Sequence, residues 1–342
     1  MTRRTSLLVL LTGLFLLLPG SALVPSGGPA PAEAQETTTL RIATLAPNGS
    51  SWMRVYNAWN NSLRQETNGR LQLRFFTGGS QGDERDVIRK IRIGQLDGAA
   101  VTSTGLSLVV RPVLVLQAPG VVESYDQLDR ARNELASELE AQFRENGVHL
   151  LGWGDVGEGR IFSNQPIRRP SDLRNVRPWV WRDDNMFSTF LEVIGATGVR
   201  LGVPEVLPAL STGQIDTVVA SATAASALQW HTRTSHVTQQ ANSYLVGATI
   251  LNKERFDALP EDLRRALTET SERAHAALVS RVRRDDRRYY QVLTTRHNIT
   301  PIDLGPHQSE WDDVARRTRE RLAGRVFPRA LMERVMRAAR GG

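Results

Sequence analysis

Strand-like and helix-like stretches alternate along residues 40–101 with turn residues between them, and this alternation restricts the chain to an α/β fold with parallel strands. Leu40 and Ile42 open a strand. Ser51 stands where a helix cap is needed, and Trp52, Val55, Tyr56, Trp59 and Leu63 follow at helical spacing until Asn68-Gly69 stops the run. Leu71, Leu73 and Phe75 alternate as a second strand. Asp83 is placed to cap a helix bearing Val87, Ile88 and Ile91, Gly94 ends it, and 98–101 reads as a third strand. The order β-α-β-α-β lays helices across one sheet.

A helical run over about 125–146 and a strand over 148–153 lead into a second unit. There 177–181 reads as a strand, and Asp184 caps a helix with Met186, Phe187, Phe190, Leu191 and Ile194 that Gly195 closes. Val199 and Leu201 give another strand, Pro204 sits in a helix first turn, Gly213 ends that helix, and 215–220 returns to strand. Some 35 helical residues follow Pro260 to about Arg296, longer than a globular helix of roughly 8–20 residues and long enough to span two lobes.

The length of 342 residues accommodates two domains with sizeable cores. The chain has no cysteine, which excludes disulfides, thiolate metal sites, a cysteine nucleophile and a lipid-modified N-terminal cysteine. The net charge of +7 invites an anionic partner, yet Lys90 and Lys253 are the only lysines, and the arginines alternate with acids, as over 261–273. A nucleic acid is therefore not an expected partner. At the N-terminus Arg3 and Arg4 precede an apolar stretch over 7–18, too short for a membrane span of about 20 residues. Ala32-Glu33-Ala34 then offers a small-x-small site, so 1–34 is expected to be a signal peptide cleaved near Ala34.

Three motifs test an enzymatic or cofactor-binding reading. Gly78-Gly79-Ser80-Gln81-Gly82 matches G-x-S-x-G between a strand and a helix, which makes a serine hydrolase using Ser80 the alternative from another class. No His-Gly-Gly loop precedes it, and a glycine-rich βα turn accounts for it. Gly152-x-Gly154-x-x-Gly157 matches the dinucleotide fingerprint, but 163–166 follows without a helix start to hold a pyrophosphate. His231 and His236 are five apart and share no helical face for a metal. No catalytic set, metal site or cofactor is expected.

Over nearly the whole mature chain the order of residues resembles the substrate-binding proteins of TRAP (tripartite ATP-independent periplasmic) transporters, the DctP-like family. The resemblance rests on the run 40–47 with Ser51-Trp52, on 78–82, on Ile93-Gly94-Gln95-Leu96-Asp97, and on 164–167 leading to Ser171-Asp172-Leu173. It continues through Gly195-Ala196, 209–216, Leu251-Asn252-Lys253 and 259–262. It implies a two-lobed periplasmic binding protein with parallel and mixed sheets, hinge strands and a long lobe-spanning helix, located in the periplasm. Lobe I is expected from 37–160 with about 247–296, and lobe II from 161–246 with about 297–342. The implied partners are a small-molecule ligand and the TRAP membrane subunits, with closure by hinge bending.

The family is similar in clamping a substrate carboxylate with an arginine on the first strand of the second lobe, a bidentate fork. This chain departs from that pattern: Trp179 stands at the arginine's position, and Ala220 replaces an asparagine that assists it. Indoles in place of donors imply a ligand with substantial apolar surface. Trp179 is read as pocket rather than core, while Trp181 is open between the two. The alternative on the same fold is an organic acid held by the retained Arg160, or by Arg182 or Arg177 moving in. The resemblance also places Trp52, Thr102 and Trp230 near the cleft. TRAP receptors associated with tetratricopeptide-repeat (TPR) proteins resemble this one in lacking the arginine, so a separate TPR-repeat polypeptide is a further implied partner.

Overall fold

The computed structural model describes residues 37–341, so the expected signal peptide over 1–34 lies outside the described residues. β1 (Thr38–Thr44), α1 (Ser51–Glu66), β2 (Leu71–Phe76), α2 (Glu84–Arg92) and β3 (Gly98–Thr102) follow in the expected order. β1 pairs in parallel with β2 and with β3. Trp52, Met53, Tyr56, Trp59 and Leu63 form the buried stripe of α1. The cap falls one residue earlier than read: Ser50 Oγ accepts from the Met53 N–H, and Ser51 Oγ instead donates to Asp285 Oδ2 at 2.6 Å. Asp83 occupies the cap position of α2 without capping it. A short α3 (Ser103–Ser107) leads to α4 (Tyr125–Glu145).

β4 (Val148–Ser163) is far longer than the strand expected over 148–153, about 50 Å at ~3.3 Å per residue. Its glycines hid it, because they break the apolar alternation. The second unit holds β5 (Trp179–Trp181), α5 (Met186–Ile194), β6 (Val199–Leu201), α6 (Val203–Thr212), β7 (Thr217–Ala220), α7 (Ala222–Ala227) and β8 (His236–Thr238). β9 (Ser243–Asn252) then returns antiparallel to both β4 and β3. The far half of β4 pairs with β7 and β8, so β4 carries the sheet from one lobe into the other.

After α8 (Lys253–Asp257), α9 (Glu261–Arg296) runs 36 residues, about 54 Å at 1.5 Å per residue. Leu263, Leu267, Leu278 and Val282 of α9 join the core around α1, whereas Leu293 joins the core around Trp179 and Trp230. The G-x-G-x-x-G match is explained here. A Cβ on Gly152 would stand 2.5 Å from His275 Cγ and one on Gly157, at φ +127°, 2.8 Å from Asp286 Cγ. The glycines let α9 lie against β4, and no helix N-terminus follows them.

β10 (Thr300–Ile302), α10 (Gln308–Leu322) and α11 (Arg329–Arg340) complete the chain. The segment over 297–342, expected in lobe II, divides its packing between separate cores. Trp311 and Val314 of α10 pack with Phe190 and Leu191 of α5. Leu331, Met332 and Val335 of α11 pack instead with Leu128, Leu135 and Phe143 of α4, in lobe I. The apolar stripe of α11 finds its match on α4, and the chain crosses back to reach it.

Candidate functional site

A cavity of about 620 Å³ lies between the lobes. Lobe I supplies Thr44, Thr102 and Ser103 at the ends of β1 and β3 and Gln117 from the 3-10 turn Arg111–Gln117, beside Trp52 and Tyr56. Lobe II supplies Trp179 and Trp181 from β5, Phe187 and Phe190 from α5, and Trp230; Trp311 enters from α10. Tyr244 of β9 closes one side.

Six of the seven residues singled out in the sequence line this cavity: Trp52, Thr102, Trp179, Trp181, Ala220 and Trp230. The Trp52 indole N–H donates to the Asp155 carbonyl oxygen at 3.1 Å. Thr102 caps α3 by accepting from the Thr104 N–H, and its hydroxyl donates to Glu84 Oε2 at 2.9 Å. Trp179 is both wall and core: only 6% exposed, it donates to the Leu201 carbonyl oxygen at 3.0 Å and meets Trp230 edge to face at 5.2 Å. Trp181 donates to Asp83 Oδ2 of lobe I at 2.7 Å.

Arg160 does not line the cavity. Its cross-strand partner Ala220 lines the cavity, but the Arg160 side chain is engaged elsewhere. There its guanidinium donates to the Gln239 carbonyl oxygen, pairs with Glu158 and lies 4.4 Å over the Tyr290 ring. Arg182 pairs with Glu205, and Arg177 with Asp216 at 3.0 Å; neither lines the cavity.

The cavity's electrostatics follow from these absences. Some fifty residues line it, and none is arginine, lysine or histidine. With 43 arginines and lysines in 342, about six of these alone would be expected by chance. Five of the chain's seven tryptophans line it as well. Three of its carboxyls, Glu84, Asp155 and Asp184, are held by the protein itself. Glu84 accepts from the Thr102 N–H and hydroxyl and the Gly105 N–H, and burial still pushes it up to about 8. Asp155 is paired with Arg132 and Arg283 behind the wall. Asp184 Oδ1 accepts from the Met186 and Phe187 N–H groups as expected of a cap, and burial raises its pKa.

Sequence reasoning missed Glu84, Phe187, Phe190, Tyr244 and Trp311 as lining residues. The number of tryptophans was the available signal for Trp311, but nothing local marked it. Ser80 is exposed, lies outside the cavity wall and has no hydrogen-bonded histidine. His231 Nδ1 bonds the Ala225 carbonyl oxygen and His236 the Ser235 hydroxyl, so the two do not converge. Among the described residues no group of three or more acidic or histidine side chains could hold a metal ion, and no helix is long and apolar enough to cross a membrane.

The model of family 7 of the bacterial extracellular solute-binding proteins, DctP, matches residues 42–321. The chain is 23% identical over 265 residues to an uncharacterized protein of Haemophilus influenzae, covering 76% of this chain and 78% of that one. It is 20% identical over 271 residues to the C4-dicarboxylate-binding periplasmic protein DctP of Rhodobacter capsulatus, covering 76% and 79%. Among solved structures, DctP7 of Bordetella pertussis, an extracytoplasmic solute receptor binding pyroglutamic acid, superposes with a TM-score of 0.82. That match has 17% identity and covers 89% of this chain and 100% of that one, a likeness of fold.

Proposed function

Because the chain belongs to family 7 of the bacterial extracellular solute-binding proteins, we propose that it captures a ligand of substantial apolar surface and delivers it to the membrane subunits of a TRAP transporter. It is a receptor and not an enzyme. The observation that carries the ligand reading is the cavity wall without a basic side chain and with five tryptophans. The Rhodobacter and Bordetella proteins are named for a dicarboxylate and for pyroglutamic acid. A free carboxylate entering this cavity would meet Trp179 where the family's arginine stands, and no cation to offset its desolvation, which costs several kcal/mol.

Apolar contact can supply the missing affinity. Covering ~300 Å² of apolar ligand surface at about 25 cal/mol per Å² contributes roughly 7 kcal/mol before the cost of association. Hydroxyls and amides of lobe I remain to orient a neutral polar end. The placements of Arg160 and Arg182 outside the wall argue against the organic-acid alternative. Tryptophan in place of the arginine at 179, the feature behind the resemblance to TPR-associated receptors, is what favours a separate polypeptide of that kind as a further partner.

Native mass spectrometry of the purified mature protein, followed by organic extraction, tests the reading. It is expected to find a copurifying molecule with alkyl or aromatic surface and no free carboxylate. A small, fully polar acid as the bound species would overturn it.

A further inference from the structure

The glycine-rich turn 78–82 and Asp83 behind it do not line the cavity, yet they touch lobe II. Asp83 has the extended backbone of a helix cap, φ −76° and ψ 170°, but its side chain leaves α2 uncapped and crosses to lobe II. Its Oδ2 accepts from the Trp181 indole N–H at 2.7 Å, while Oδ1 is buried without a partner. α6 begins at the same point: a Cβ on Gly202 would stand 2.7 Å from Asp83 Oδ2, so only glycine lets the positive end of α6 approach the carboxylate. Arg85 pairs with Asp183 alongside, with Nε 3.0 Å from Oδ2, and the Gly79 position packs against Pro204 of α6.

We infer that Asp83 is a closure latch, a positioning residue that holds Trp181 and the start of α6 against lobe I when the lobes come together. The hydrogen bond and the helix-end contact exist only with the lobes in contact, so they stabilise the closed form alone. A carboxylate buried with one oxygen unpartnered is tolerated where its function lies elsewhere than in stability. Trp181 packs at 5.9 Å against Trp179, a wall of the cavity, so the latch lies one side chain from the enclosed ligand. A ligand's apparent affinity scales with the fraction of protein in the competent form, and the latch sets that fraction whatever the ligand is.

The absence of cysteine makes the test direct. Spin labels on Gln65→Cys and Glu192→Cys, exposed positions in lobes I and II, report the inter-lobe distance by pulsed electron resonance. The distance is read without ligand and with N-phenyl-1-naphthylamine, a neutral apolar probe. Asp83→Ala is expected to lower the ratio of short to long distances about tenfold, as loss of a hydrogen bond to a charged group implies. Trp181→Phe should do the same, while Asp83→Asn, which keeps an acceptor, restores the short population. Thermal unfolding of each unliganded variant should show folding intact, separating a latch from a structural role. If Asp83→Ala leaves the distribution unchanged, including the case where neither protein shows a short population, the latch does not exist. Failure of the probe to bind would count against the apolar-ligand reading alone, because the unliganded distributions still judge the latch.

Discussion

The two walls of the cavity are built on different principles. Lobe I presents the strand-end hydroxyls of Thr44, Thr102 and Ser103, mounted on a sheet whose core lies behind them, with the Gln117 amide beside them. Lobe II presents Trp179 and Trp230, which are simultaneously the centre of that lobe's own core. On one side recognition can change without disturbing the fold. On the other, recognition and folding use the same side chains, so a change of ligand class there requires a change of core.

The largest expected effect is at the strand that joins the walls. Asp155 has a fully buried side chain paired with Arg132 and Arg283, and Asp155→Ala leaves the buried Arg132 guanidinium without a carboxylate, while Arg283 keeps Asp129. A loss of about 3–5 kcal/mol is expected, read as a lowered denaturant midpoint; a loss below about 1 kcal/mol would show that the charges are reached by water. Next comes the wall that doubles as core. Trp179→Arg would restore the family's residue type but remove the bond to Leu201 and the packing on Trp230. The expected cost is about 3 kcal/mol, with hydrogen exchange accelerated over 199–230 and unchanged over 38–76. Uniform acceleration in both lobes would remove the contrast between the walls.

A smaller effect concerns the core behind lobe I. His275 is buried against Trp59, with Nδ1–H donating to the Ser271 carbonyl oxygen and Nε2 accepting from the Thr249 hydroxyl. Burial lowers it from 6.5 to about 4. Below pH 6.5 the unfolded chain takes up a proton that the folded chain refuses, so this contribution is complete above pH 6.5 and falls as pH drops toward 4. Roughly 2.5 kcal/mol is expected to be lost between pH 7.5 and 4.5. His275→Asn should flatten that part of the stability profile measured by urea unfolding, and an unchanged slope would place the proton elsewhere.

The alternation of elements and the 36-residue helix were legible because each depends on local pattern, whereas of the nine cavity-lining aromatics only Trp52, Trp179, Trp181 and Trp230 were singled out, and those through the family resemblance. The long β4 strand was not, since its glycines answer to α9, distant in sequence. Arg160 was misplaced for a related reason. Its side chain is engaged by Gln239 and Tyr290, distant in sequence, which no local spacing reveals. The G-x-S-x-G match is a turn that touches the opposite lobe, a role visible only once α6 is in place.

The most direct test of the central claim is titration calorimetry of the mature protein with matched pairs that differ only in charge, such as a medium-chain aromatic alcohol and the corresponding carboxylate, alongside succinate. The neutral member is expected to bind at least tenfold more tightly than its carboxylate, with a negative heat-capacity change from apolar burial, and succinate is expected to give no measurable heat. Micromolar binding of succinate, or preference for the carboxylate in each pair, would contradict a cavity that has exchanged its anion clamp for indoles.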